Sequence, residues 1–132
     1  MTLVVDASAV VAALVDGGED GEWAEALLES DSLAAPHLMP AEVANILRRA
    51  SLAREITEDV AVLAYGDLLE LRVELFPYEP FAARVWELRR NVTACDAWYV
   101  ALAEELGARL ATLDERLASA AGPHCRFVTQ PD

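Results

Sequence analysis

An α/β fold built on a mostly parallel sheet is what this sequence predicts, and three observations carry the prediction. Short apolar or β-branched runs alternate with longer amphipathic stretches, the pattern of strands that each feed a helix. Two of the short runs end directly on an aspartate, Asp6 and Asp114, with helix-forming sequence after each. At 132 residues, 55% hydrophobic and 25% charged, residues 1–132 make one domain with material for a sizeable core and none for a second unit.

Thr2–Val5 reads as the first strand, closed by Asp6, and Ala7–Val15 as the helix that follows. Its longest apolar run, residues 9–15, is far below the roughly 18 residues of a bilayer span. The segment also lacks a basic leader and carries Asp6 inside it, so no export signal is expected and the protein is placed in the cytoplasm, away from membranes. An acidic, Gly-rich turn spans residues 16–22, and a second helix runs to about Ser30. Gly18 and Leu27 stand where a calcium loop needs carboxylates, so the turn reads as a solvated loop.

Residues 33–35 form a weaker strand. Residues 39–53 place Val43, Ile46, Leu47 and Ala50 at helical spacing, introduced by Pro36 and Pro40. The other face of that helix aligns Glu42, Asn45 and Arg49, a carboxylate, an amide and a guanidinium on one line. A helix over residues 57–71, a strand Val73–Phe76 closed by Pro77, and a short helix over residues 81–90 come next. Ala94–Leu106 has the cleanest periodicity, with Cys95, Trp98, Tyr99, Leu102, Ala103 and Leu106 on one face and Gly107 as its stop. A strand over residues 109–113, a helix over 115–121 and a terminal strand over 126–129 complete the chain.

The charge narrows the chemistry. There are 23 acids against 10 bases, a net charge of −13, and every base is an arginine. A P-loop and a phospho-accepting receiver domain each need a lysine and are excluded. A broad basic face for nucleic acid is excluded too, because so negative a surface repels phosphates at long range. Cys95 and Cys125 fit no zinc pattern and read as reduced, buried thiols; His37 and His124 have no ligand-spaced partners and read as structural or surface residues.

In an open parallel sheet, ligands sit beyond the carboxyl ends of the strands. Asp6 and Asp114 occupy such ends, Asp96 lies in the first turn of the helix that feeds the second of those strands, and Glu42 lies near the start of its helix after the weak strand. Any one of them serves equally well as a helix cap. Asp6 fits that role least, since apolar runs enclose it and its nearest basic residue is Arg48. Carboxylates about 4 Å apart repel by roughly 4 kcal/mol at an effective dielectric of about 20, which either protonates them or recruits a cation. Oxygen-only ligands favour Mg²⁺ or Mn²⁺ over zinc, and such a centre suits phosphoryl chemistry. Ser8 and Thr112 would orient the acids or a bound water; without a histidine base beside them they are poor nucleophiles.

Taken in order, Leu3-Val4-Val5-Asp6-Ala7-Ser8, Pro40-Ala41-Glu42-Val43-Ala44-Asn45, Thr93-Ala94-Cys95-Asp96-Ala97-Trp98-Tyr99 and Leu110-Ala111-Thr112-Leu113-Asp114 resemble a PIN-domain nuclease, specifically the VapC-type toxins of bacterial toxin–antitoxin pairs. The resemblance implies a three-layer α/β/α fold with strand order 3-2-1-4-5. It implies Asp6, Glu42, Asp96 and Asp114 as the catalytic, metal-binding acids of a Mg²⁺- or Mn²⁺-dependent endoribonuclease, supported by Ser8, Asn45 and Thr112. It further implies structured RNA of the tRNA or rRNA class as substrate, a homodimer, and a cognate VapB-type antitoxin that blocks the site.

Arg48, Arg49 and Arg116 are the arginines best placed for RNA phosphates, with Arg89 and Arg90 next. Trp98 and Tyr99 read as core packing rather than base-stacking residues, and Trp23, Tyr78, Phe81 and Trp86 as core or interface. Two rivals stand beside the nuclease. One is a non-catalytic PIN-like interaction module. The other is a haloacid-dehalogenase-type phosphatase, which wants a second Asp where Ser8 stands and a lysine that is absent.

Overall fold

The computed structural model describes residues 1–131. Five strands, β1 (Thr2–Val5), β2 (Ser32–Pro36), β3 (Val73–Phe76), β4 (Arg109–Ala111) and β5 (Phe127–Val128), pair in the order β3-β2-β1-β4-β5. Every pairing is parallel, as the alternating pattern and the resemblance both imply. The outermost strands are modest: β5 has two residues, and β3 turns Glu74 out to solvent.

Seven helices connect the strands: α1 (Ala7–Val15), α2 (Glu19–Ser30), α3 (Met39–Leu52), α4 (Glu58–Glu70), α5 (Ala82–Glu87), α6 (Ala94–Leu106) and α7 (Glu115–Ala118). Right-handed crossovers put α1–α4 on one face as the chain steps from β1 outward to β3, and α5 and α6 on the other as it returns past β1 to β4. Accordingly α1 touches α2, α3 and α4, whereas α6 lies across β1, β2 and β4. Leu3, Val4 and Val5, with no exposed surface, form the centre of the core between these layers. No helix among the described residues is long and apolar enough to cross a membrane.

Several boundaries differ from expectation for local reasons. The fourth strand stops at Ala111 rather than Leu113, because the Leu113 and Asp114 N–H groups donate to the Ser8 and Thr112 hydroxyls instead of to a neighbouring strand. The helix expected over 81–90 begins with a 3₁₀ turn at Glu79–Phe81 and ends at Glu87, where Arg89 and Asn91 bond back only three residues. The helix expected over 115–121 ends at Ala118, with the Ser119 hydroxyl donating back to the Glu115 carbonyl. Thr57 is the N-cap of α4, accepting the Val60 N–H, so that helix begins one residue later than expected; Thr93 and Asp114 cap α6 and α7 in the same way, and these begin at Ala94 and Glu115 as expected.

Helix α6 is buried nearly all round rather than along one stripe. Ala97 and residues 99–103 are buried, Trp98 is half-buried, and Leu106 and Cys95 are exposed. Its centre lies under the sheet while its two ends overhang, which leaves Cys95 in solvent; Cys125 is half-buried, and both thiols are free. His37 and His124 are surface residues. Phe81 is core and Trp23 half-buried, but Tyr78 and Trp86 are exposed, with Tyr78 edge-on to Trp98 and Trp86 covered by the Arg89 guanidinium. On α4, Val62, Leu63 and Leu69 are each about two-thirds exposed.

Candidate active site

The carboxyl ends of β1 and β4 lie side by side, and the chain uses both turns to hold one carboxylate. Asp6 follows β1 directly, is buried, and caps α1 by accepting the Ala9 N–H at 3.0 Å. Its Oδ1 also accepts the Ser8 hydroxyl at 2.6 Å and its Oδ2 the Thr112 hydroxyl. Those hydroxyls are themselves fixed: Ser8 Oγ accepts the Leu113 N–H at 3.0 Å and Thr112 Oγ1 the Asp114 N–H at 2.9 Å. Each hydroxyl therefore accepts a hydrogen bond from the β4–α7 turn and donates one to Asp6. Ser8 and Thr112 thus fix the orientation of the Asp6 carboxylate.

The other three acids come from separate elements. Asp96, half-buried, lies in the first turn of α6. Glu42, half-buried, lies in the first turn of α3, and its Oε1 accepts the Tyr99 hydroxyl at 2.6 Å. Asp114, exposed, accepts the Arg116 N–H at 2.9 Å and the Leu117 N–H at 3.3 Å.

The electrostatics are those of like charges held together. Burial, and then the Asp96 charge, raise the Asp6 carboxyl above its ordinary value despite three hydrogen bonds that oppose the rise. Burial raises Glu42 as well, with Asp96 and Asp6 adding to the effect against the Tyr99 bond, and Asp96 is raised by burial and by the charge of Asp114. Among the described residues none of the four forms a salt bridge.

The carboxylates are near enough to raise one another's proton affinity, yet no three of them close around a single point. The expected tight cluster is therefore looser, and its cause is visible: Asp6 is turned onto Ser8 and Thr112, Asp114 onto the N–H groups of α7, and Glu42 onto Tyr99. The donor set nevertheless fits a hard divalent cation, being all oxygen, partly desolvated, mutually repelling and without a basic partner.

The side chains of Asn45, Arg48, Arg49, Arg89, Arg90 and Arg116 make no salt bridge or hydrogen bond to the four acids among the described residues. Asn45 and Arg48 line a groove of about 510 Å³ between α3 and α4 that also takes in Tyr65. Arg49 and Arg116 are exposed, as are Arg89 and Arg90. Tyr99 was legible only as core; the signal that it does more is a hydroxyl on a helix face whose other buried members are all apolar.

A parallel sheet in this order, with acids at the ends of its two central strands, defines a nuclease-like α/β class, and the chain belongs to the PIN domain family, which it matches over residues 3–123. It is similar to Ribonuclease VapC1 of Mycobacterium tuberculosis, 46% identical over 125 residues covering 94% of each chain. Ribonuclease VapC9 of the same organism is 36% identical over 129 residues, 98% of each chain. Among solved structures, VapBC2 from Rickettsia felis bound to a DNA fragment from their promoter shares the fold at TM-score 0.67 and 14% identity, covering 99% of this chain and 100% of that one.

Proposed function

We propose that this protein is a divalent-metal-dependent endoribonuclease of the VapC type, the toxin of a toxin–antitoxin pair. The observation that carries the reading is Asp6, a buried carboxylate without a basic partner, raised in proton affinity by its burial and then by the charge of Asp96, and locked in orientation by Ser8 and Thr112. Kinship with ribonucleases at up to 46% identity supports the activity.

In this reading Asp6, Asp96 and Asp114 hold the cation, Mg²⁺ or Mn²⁺, and Glu42 completes the set and helps position or deprotonate the attacking water. When bound, the ion supplies an activated water and charge stabilisation for in-line displacement at phosphorus. Ser8 and Thr112 keep the Asp6 oxygens fixed for that task, and the Ser8–Leu113 and Thr112–Asp114 bonds hold the Asp114 turn against β1. Arg48, Arg49 and Arg116 contact RNA phosphates that the net charge of −13 otherwise repels, with Asn45 beside Arg48 as a further polar contact. The substrate is structured RNA of the tRNA or rRNA class.

The partners follow the same reading. The solved VapBC2 pair supports a VapB-type antitoxin, and the exposed apolar side chains of α4 supply surface for that antitoxin and for a second copy in a homodimer. The cytoplasm is the compartment, consistent with an RNA substrate and two free thiols. Cleavage of RNA that requires added Mg²⁺ or Mn²⁺, is abolished by EDTA and is lost in Asp6→Asn tests the reading. Chelator-resistant cleavage overturns the metal, and hydrolysis of small phosphomonoesters without RNA cleavage overturns the nuclease.

A further inference from the structure

We propose that Tyr99 is a positioning residue for Glu42, its phenol reaching from one helical layer to the other to aim that carboxylate at the acid cluster. The inference rests on the reading of Glu42 as a member of the metal-binding set.

Four observations carry it. First, the Tyr99 hydroxyl donates to Glu42 Oε1 at 2.6 Å across 57 residues of sequence. Second, Tyr99 is 1% exposed and the other buried residues of α6 are Ala97, Val100, Ala101, Leu102 and Ala103, so phenylalanine fills the same space and only the hydroxyl is left for polar work. Third, α3 and α6 lie on opposite faces of the sheet, so the bond passes over the carboxyl edge of the strands, where the acids are. Fourth, Glu42 has the longest side chain of the four acids and this is its one hydrogen bond among the described residues, whereas Asp6 has three. A glutamate free about three torsions pays ordering entropy each time it joins a ligand set, and a fixed acceptor removes that cost beforehand.

The geometry also divides the carboxylate. Oε1 is taken by the phenol, which leaves Oε2 without a hydrogen-bond partner among the described residues. Because Tyr99 stands three residues after Asp96, α6 sets the place of two acids at once, Asp96 directly and Glu42 through the phenol.

The test compares Mn²⁺ binding, read as loss of the free-ion EPR signal on titration of metal-free protein, with kcat and KM for RNA cleavage. Tyr99→Phe is expected to weaken Mn²⁺ binding and lower kcat, each by about 10-fold or more, with KM unchanged. In the E42Q background the same substitution should have no further effect, since the carboxylate that the phenol positions is no longer there to ligate the ion. Glu42→Asp, which retracts the carboxylate by one methylene without touching the core, should reproduce the loss and carries the test should Tyr99→Phe fail to fold. Leu102→Ala is the control, expected to lower Tm while leaving Mn²⁺ affinity and kcat unchanged. Parental Mn²⁺ affinity in Tyr99→Phe or in Glu42→Asp overturns the proposal, as does a Tyr99→Phe loss that multiplies that of E42Q. If Asp6→Asn abolishes Mn²⁺ binding while Tyr99→Phe does not, the metal site stands and Tyr99 is merely core; if Asp6→Asn and E42Q both bind as the parent does, the site reading falls and Tyr99 with it.

Discussion

Two ends of this molecule hold buried or half-buried carboxylates and treat them in opposite ways. Near the start of β4, Glu104 meets the Arg84 guanidinium through two bonds, at 2.7 and 3.0 Å, and accepts the His124 N–H at 2.7 Å. Burial works against its charge, but the guanidinium and the N–H outweigh it, so its proton affinity is lowered. At the carboxyl end of the strands, Asp6, Glu42 and Asp96 are all raised and have no arginine. The difference teaches where charge is structural and where it is reserved. One end pairs its carboxylate with an arginine; the other holds its carboxylates with hydrogen bonds alone and without a cationic side chain.

The largest effect should come from crossing the two ends in activity. Asp6→Asn is expected to lower RNA cleavage by about 1,000-fold, equivalent to about 4 kcal/mol of transition-state stabilisation, while Glu104→Gln stays within about twofold of the parent in the same assay. In stability the order reverses. Arg84→Ala should cost about 1–2 kcal/mol in urea unfolding at neutral pH, because Glu104 loses a partly exposed guanidinium and keeps the His124 N–H. Asp96→Asn in cation-free buffer should unfold at no lower denaturant than the parent, since the charge it removes is one that the fold opposes.

The pH dependence sharpens the contrast. A carboxylate raised by folding destabilises the folded state as pH climbs from its unfolded value, near 4, through its folded one; a lowered carboxylate such as Glu104 adds stability above its unfolded value and loses it as pH falls through the folded one. Added Mg²⁺ should therefore raise Tm more at neutral pH than in acid. Cleavage should rise from acid toward neutrality, with its midpoint above the ordinary carboxylate range. A Tm increment that is the same at both pH values breaks the comparison. The smallest effect is expected at Arg48→Ala, a few-fold rise in KM with kcat unchanged, read from steady-state cleavage at two salt concentrations.

Much of this layout was legible in the sequence because it rests on local rules. Strands that end on Asp6 and near Asp114, and a glycine that stops α6 in the left-handed region at φ 61°, follow from apolar patterning and backbone sterics. What was not legible depends on contacts across the sheet. Strand β4 is shortened in part by the Ser8 hydroxyl, 105 positions from the Leu113 N–H it accepts, and Cys95 is exposed near the start of its helix. The acids were expected to crowd one point, but Asp6, Glu42 and Asp114 each accept from hydrogen-bond donors elsewhere, and no sequence spacing encodes those partners. Tyr99 was assigned to the core correctly, yet its hydroxyl partner lies on another layer.

The sheet has a consequence for how the protein meets other chains. Its two rims offer little backbone to bind, since β5 is two residues long and β3 presents Glu74, so lateral strand addition has neither length nor a neutral edge to grip. Contact with another copy or a different polypeptide is thus left to side chains on the outer cylinders, where Leu52, Val62, Leu63 and Leu69 already face the solvent. Fibre-like growth is disfavoured by the same architecture that keeps the strand ends open for chemistry.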